Sequence, residues 1–314
     1  MILGHERQID YLNKVLARGR MSHAYLFYGP DGVGKFTLAT LLAKALRCEK
    51  KPKSLADVCN ECRDCKWIDE YRHPSVIILS PTSTLVSKKD KRKDIPIEDI
   101  RELKRIFSLA PEGDAWRIAI IDDAEKLSRD AADAMLKILE EPGEQTLMIL
   151  VSSAPDFLPS TIVSRAQPIR FSLLPNVTFV QFLKECVKSP SRAEEILALA
   201  AGRPGIVLRS LAEENYFARE WKLAEEVSGL FVRGDVPSVF RFVEKVAGEE
   251  HGRRSALYHL TSCLRAGLLA HTDEKNVGSH LEKLKRVNRI AYLLDTTNVN
   301  PRLALDAMFL ELVK

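Results

Sequence analysis

The amino-acid sequence predicts an α/β domain built on a parallel sheet, followed by a remainder that is helical throughout. Three observations carry this. Short apolar runs alternate with helical segments over the first half, a glycine-rich turn with a lysine follows the first of those runs, and the strand signals stop after Leu174-Pro175.

The runs Ala24 to Tyr28, Val76 to Leu79, Arg117 to Ile121, Thr146 to Val151 and Pro168 to Phe171 read as strands, and the helices between them imply that they lie parallel. The clearest helix begins near Asp130, with Ser128 as its N-cap, Ala131, Met135, Ile138 and Leu139 on one face, and Pro142-Gly143 closing it. Between Pro81 and Pro96 the segment TSTLVSKKDKRKDI is polar and basic without apolar periodicity, so a surface loop is expected inside the α/β domain. Beyond Leu174-Pro175 the periodicity is helical, first over a short segment to about Leu211 and then over a longer run rich in Leu, Ala and Val. This organisation predicts domains at 1–172, 173–210 and 211–314.

Composition sets the outer bounds. With 314 residues, 46% hydrophobic and 29% charged, the chain can bury a sizeable core spread over two or three domains. The net charge of +4, from 47 basic and 43 acidic residues, is too balanced to predict tight nucleic-acid binding, so any DNA contact must come from local patches. No run approaches the roughly eighteen apolar residues of a membrane span, and the opening MILGHERQIDYLNKVLARG lacks a basic stretch leading into an apolar one. A cytoplasmic location is expected.

The segment AYLFYGPDGVGKFTLATLLAKAL places Gly29-x-x-x-x-Gly34-Lys35 after a strand and before an amphipathic helix, where a phosphate-binding loop belongs. Glycines let backbone N–H groups wrap phosphates, the helix N-terminus adds partial positive charge, and a lysine neutralises phosphate oxygens. Gly29, Gly32, Gly34, Lys35 and Thr37 are therefore candidate nucleotide contacts. The plainer alternative is a glycine-rich turn with a surface lysine, against which the strand-and-helix context argues. One position departs from the motif: the residue after Lys35 should carry a hydroxyl for Mg²⁺ and is Phe36. Thr37 comes one residue later, about 100° around the helix, and is not an equivalent ligand.

A second acidic motif stands in RIAIIDDAEKLS, where Asp122 ends an apolar strand as a Walker B aspartate does. An acid directly after such a strand is awkward without a partner, which favours a Mg²⁺ role for Asp122. Asp123 follows where motor ATPases usually carry the longer Glu that polarises the attacking water. The competing reading is that both acids merely start a helix, where negative charge suits the dipole.

Of the six cysteines, Cys48, Cys59, Cys62 and Cys65 fall within eighteen positions in the pattern C-x10-C-x2-C-x2-C, while Cys186 and Cys263 stand alone. Four thiolates at this spacing can close a tetrahedral Zn²⁺ site, and with no open ligand position its role is structural.

Taken together, HAYLFYGPDGVGK, IIDDAEKLSRDAADAMLKILEEPGEQTLMILVSSAP and LPSTIVSRAQPIRF resemble, in order, the signatures of the AAA+ clamp-loader subunits of bacterial DNA polymerase III, those of the delta prime type above all. The resemblance spans nearly the whole chain and implies an AAA+ domain with an inserted zinc module over 48–65, a small helical lid and an all-α collar, with NVNPRLALDAMFLELV similar to the collar's last helix. It implies that Arg165, in Ser164-Arg165-Ala166, matches the arginine of the family's Ser-Arg-Cys motif, which reaches in trans the ATP held by a neighbouring subunit. A permanently charged, planar fork suits that task, whereas a surface salt bridge is the plainer role for Arg165. Near the family's second sensor, where motor subunits place an arginine, the sequence reads AAGRPGIVLRS, with Gly205 in register and Arg203 two residues earlier.

The resemblance implies a place in the DNA-directed DNA polymerase holoenzyme, with gamma/tau-type and delta-type subunits as partners and the sliding clamp and primer-template DNA reached through the assembly. Structural Zn²⁺ and ATP or ADP with Mg²⁺ are the implied cofactors. Phe36, Asp123 and Gly205 point to a stator with weak or absent ATPase activity, while Gly29, Gly34, Lys35 and Asp122 permit nucleotide binding. An ATP-hydrolysing gamma/tau-type motor is the alternative. A free-standing zinc module contacting DNA through Lys88, Lys89, Lys91, Arg92 and Lys93 is a third reading, against which a solvated loop is favoured.

Overall fold

The computed structural model describes residues 2–83, 85–86, 94–108, 115–270, 274–296 and 299–313, and the chain divides into two compact units, Met1–Phe179 with Gly202–Gly205, and Val180–Ala201 with Ile206–Lys314. The basic run Lys88, Lys89, Lys91, Arg92 and Lys93 lies outside the described residues.

The first unit runs α1 (Glu6–Arg18), β1 (Ala24–Tyr28), α2 (Lys35–Arg47), α3 (Arg63–Asp69), β2 (Val76–Leu79), α4 (Ile97–Ser108), β3 (Arg117–Ile121), α5 (Arg129–Glu140), β4 (Thr146–Ser152), α6 (Ser160–Val163) and β5 (Gln167–Arg170). The strands form one parallel sheet in the order β2-β3-β4-β1-β5, with Leu26 paired to Leu150 on one side and Pro168 on the other. Three strands keep the ends read from the sequence; β4 runs one residue further, to Ser152, and β5 sits one residue earlier. Pro168 is admissible because β5 is an edge strand, where a missing N–H costs no ladder bond.

Parallel strands joined by helices are covered on both faces, and the period of two sorts their side chains. Tyr25, Phe27, Ile118, Ile120 and Ile149 pack on Leu38 and Leu42 of α2 and Ile68 of α3. Their neighbours Leu26, Ala119, Ile121, Met148 and Leu150 face the other way, onto Ile100 and Leu103 of α4 and Met135 and Leu139 of α5. Helix α5 starts where its cap predicts: Ser128 Oγ accepts from the Ala131 N–H at 3.2 Å, and Ala131, Met135, Ile138 and Leu139 are all buried.

The strand order positions the site. Because β4 lies between β3 and β1, the C-terminal ends of these three strands open side by side, and a crevice outside such ends is where ligands bind in open α/β sheets.

Helix α7 (Asn176–Cys186) follows β5, and among its described residues the second unit holds helices and no strand, with α8 (Pro190–Ala200), α9 (Pro204–Ala212) from Ile206 on, α10 (Glu214–Arg233), α11 (Val236–Ala247), α12 (Glu250–Ala270), α13 (Glu274–Thr296) and α14 (Pro301–Val313). Its core gathers Val227 and Leu230 of α10, Val239 and Val243 of α11, Leu260 of α12, Val287 of α13 and Leu305 and Phe309 of α14. A buried carboxylate sits within it: Glu220 of α10 meets His259 Nε2 at 3.0 Å and accepts from Ser255 Oγ at 3.2 Å. Among the described residues no helix is long and apolar enough to cross a membrane.

Candidate functional site

The loop from β1 to α2 takes a shape that glycine alone makes comfortable. Gly29, Gly32 and Gly34 have φ values of 142°, 73° and 105°, and a Cβ on Gly29 would stand 2.3 Å from the Phe171 carbonyl oxygen. Lys35 opens α2 behind this loop and is buried. Its Nζ donates to the carbonyls of Gly29 at 2.6 Å and Pro30 at 2.8 Å and stands 3.7 Å from Asp31. Burial lowers the Lys35 pKa, while the charges of Asp31, Glu125, Asp122 and Asp123, in that order, oppose the drop.

Asp122 closes β3 beside this loop. Burial pushes its carboxyl up to about 7, and the neighbouring Asp123 charge adds to the rise. Asp123 sits in the left-handed region, at φ 51° and ψ 50°, where a non-glycine residue is uncommon. Together with Asp31, Lys35, Thr37 and Ser153 these acids wall a cleft of about 240 Å³. Phe36 lines it too, and its ring pairs with that of Tyr71 at 6.3 Å between centroids. At the position expected to hold Mg²⁺ the helix thus presents an aromatic ring in place of a hydroxyl.

Two residues of this cleft region, Ser153 and Glu125, escaped the motif reading. Ser153, just after β4, donates through its N–H at 3.1 Å and its Oγ at 2.6 Å to one oxygen of Glu125. Two polar residues directly after an apolar strand were the available signal. Gly205 also lines the cleft: its N–H donates to the Gly32 carbonyl at 2.8 Å, and a Cβ there would lie 2.9 Å from that oxygen.

The four cysteines converge as their spacing predicts. The sulfurs of Cys48, Cys59, Cys62 and Cys65 all lie within 4.8 Å of one another, with Cys48 to Cys59 at 3.4 Å and Cys59 to Cys65 at 3.9 Å. Tetrahedral Zn–S bonds of about 2.3 Å put ligand sulfurs roughly 3.8 Å apart, so the set fits zinc. The Cys62 and Cys65 N–H groups point at the Cys59 and Cys62 sulfurs, at 3.4 and 3.5 Å. Backbone N–H bonds from Glu61 and Cys62 bring the Cys59 thiol down to about 6, while burial pushes Cys65 up, a penalty that a bound divalent cation offsets. The module is pegged to α2 by Lys44, whose Nζ donates to Asn60 at 2.9 Å and Asp69 at 2.7 Å, and by Arg47, 3.3 Å from Asp64.

Arg165 stands apart from its own cleft. Following α6, its guanidinium donates to the Thr161 carbonyl at 2.9 Å and to Glu140 Oε1 at 2.7 Å, with about a third of the side chain (36%) exposed.

A parallel sheet with a phosphate loop after β1 and an acid after β3 is the α/β arrangement of the P-loop NTPases, here of the AAA+ type. The family model described as DNA polymerase III, delta subunit, matches residues 4–175, and the chain belongs to that clamp-loader family. It is 30% identical over 274 residues to DNA polymerase III subunit tau of Bacillus subtilis, covering 85% of this chain and 46% of that protein. It is 33% identical over 168 residues to subunit delta' of Bacillus subtilis, covering 54% of this chain and 47% of the relative. Against subunit delta' of Pseudomonas aeruginosa it is 32% identical over 189 residues, covering 60% and 55%. The chain thus spans about half the length of these relatives, and tau and delta' stand at similar identity.

Proposed function

We propose that this chain is a delta prime-type clamp-loader subunit, a stator that turns over ATP weakly or not at all and lends Arg165 to the ATP site of a neighbouring subunit. The observation that carries the reading is the placement of Arg165 outside its own cleft, on Glu140 and the Thr161 carbonyl. An exposed pair of this kind contributes about 0.2–1 kcal/mol, weak enough to be exchanged for a neighbour's phosphate. Phe36 in place of a hydroxyl ligand and Asp123 in place of the longer acid support a weak hydrolase.

In this reading Gly29, Gly32, Gly34, Lys35, Thr37 and Asp122 are the nucleotide-binding residues of a site that holds ATP or ADP, and Cys48, Cys59, Cys62 and Cys65 hold a structural zinc. Residues 1–172 form the AAA+ domain, 173–210 a lid and 211–314 the collar through which the subunit joins gamma/tau-type and delta-type partners in the cytoplasm. The sliding clamp and primer-template DNA are met through that assembly. The competing reading, a gamma/tau-type motor, is favoured by the 85% of this chain matched to tau.

The test is reconstitution with wild-type partners at saturating subunit concentration. An arginine finger is worth roughly 10³–10⁵ in rate, so Arg165→Ala should depress the DNA-stimulated ATPase while leaving fold and zinc content intact. Arg165→Lys should rescue poorly, because a point charge does not reproduce the planar fork. An assembly that forms normally and keeps full ATPase and loading activity would show Arg165 to be structural. Turnover by the isolated chain at motor rates, abolished by Lys35→Ala, would favour the motor instead.

A further inference from the structure

The end of β4 brings Val151 and Ser153 into the wall of the cleft, beside the loop after β1 and the acid after β3, where the phosphates of a nucleotide would lie in the proposed reading. A wall that welcomes a terminal phosphate needs hydrogen-bond donors free to point at it. Ser153 has two, its N–H and its hydroxyl, and both go to the same oxygen of Glu125, at 3.1 and 2.6 Å. The second oxygen of that carboxylate, Oε2, is buried and accepts no hydrogen bond. Both donors that Ser153 brings to the cleft wall are therefore engaged by a carboxylate.

The surrounding charge points the same way. Among the described residues Lys35 is the one basic residue lining the cleft, against Asp31, Asp122 and Asp123, and the charge of Glu125 acts on it as well. Its ammonium already donates to two carbonyls and faces Asp31. Each phosphate added to a ligand brings negative charge into this acidic surrounding, and Phe36 supplies no hydroxyl for a compensating Mg²⁺.

We infer that Glu125 is a specificity-determining residue of this cleft, which by occupying both Ser153 donors makes the site select a nucleoside diphosphate over a triphosphate. The inference rests on the reading of the cleft as a nucleotide site. Glu125 acts through Ser153 and does not itself line the cavity.

The test is calorimetric titration of the full chain with ADP and with a non-hydrolysable ATP analogue, with and without Mg²⁺, for wild type, Glu125→Gln, Glu125→Ala and Lys35→Ala. Wild type should bind ADP more tightly. Glu125→Ala frees two donors for anionic oxygens and should shift the ratio of the two dissociation constants toward the analogue by about tenfold, with ADP affinity little changed. Glu125→Gln keeps the shape and the acceptor and removes the charge, so it should shift the ratio the same way by less, and it remains informative if the alanine variant does not fold. Tighter binding of the analogue by wild type, or a ratio unmoved by both substitutions, overturns the role of Glu125 while leaving the nucleotide site standing. Binding of neither ligand by wild type or either Glu125 variant, with Lys35→Ala indistinguishable from them, overturns both.

Discussion

Gly205→Ala tests whether the contact between Gly205 and the phosphate loop is as tight as its geometry indicates. The added Cβ would stand 2.9 Å from the Gly32 oxygen, 3.1 Å from its Cα and 3.3 Å from its carbonyl carbon, all backbone atoms that cannot swing aside. The same oxygen accepts the Gly205 N–H at 2.8 Å, so relieving the clash stretches that bond. Overpacking costs about 1–3 kcal/mol and a weakened hydrogen bond about 0.5–1.5 kcal/mol. Against this, alanine gains about 0.4–1 kcal/mol by restricting the unfolded chain. The steric terms win, and a net loss of about 2 kcal/mol is expected. In a unit of this size that lowers its transition temperature by roughly 4–8 °C. Scanning calorimetry measures it, with Gly229→Ala as the comparison, because a Cβ there meets nothing within 4 Å and the helix-propensity gain of roughly 0.8–1 kcal/mol should appear alone. If Gly205→Ala is as neutral or stabilising as Gly229→Ala, the contact is loose and the reasoning fails.

Three further outcomes follow from the same geometry. Elemental analysis of the purified protein should find one zinc per chain, and Cys65→Ser should lose it together with the protease resistance of residues 48–69; four freely titrating thiols in the native protein would refute the site. Glu220 gives the helical unit an acid-labile term. Burial would raise its carboxyl, but the hydrogen bond and charge of His259, with Ser255 and His251, outweigh it and hold the pKa below its ordinary 4.5. A depressed folded pKa means that this stability is present above pH 4.5 and is lost as the pH falls through the folded value, so Glu220→Gln should flatten the acid limb of a pH–stability profile, and an unchanged limb would count against it. Finally, Glu140→Gln should change stability by no more than about 1 kcal/mol in denaturant titration, since the pair it makes with Arg165 is half exposed; a larger loss would mark that pair as structural.

Much of the first unit was legible locally. The apolar runs of β1, β2 and β3 end where polar residues begin, Ser128 caps α5 as its residue type allows, and the cysteine spacing alone anticipates a convergence that the sulfurs reach. What was not legible depends on strand order. Nothing in VSSAP indicates that β4 lies between β1 and β3, so the meeting of Ser153 with Glu125, 28 residues away in sequence, could not be read from either segment. Gly205 is a sharper case. As a motif position it registers the lack of an arginine, but its contact with Gly32 is a packing fact between segments far apart in the chain, and a glycine without a side chain leaves no pattern to announce it. The one-residue offset of β5 has a local cause, since an edge strand pairs on one side only and its ends are loosely specified by pattern.

Helix α2 carries Lys35 as its first residue, and Cys48 is its C-cap. At 1.5 Å per residue these ends are about 20 Å apart, joined by a rod whose buried face is packed against the sheet. The cysteine cluster at one end is therefore mechanically linked to the glycine-rich loop at the other. An oxidant that joins Cys48 to Cys59, whose sulfurs are 3.4 Å apart, would pull on the end of that rod. Lys44 and Arg47, both on the last turn, transmit the pull through their bonds to Asp69 and Asp64. We expect mild oxidation to weaken nucleotide binding before it unfolds the protein, and reductant with added zinc to restore it; an affinity indifferent to the thiols would show that the rod bends locally and carries no signal.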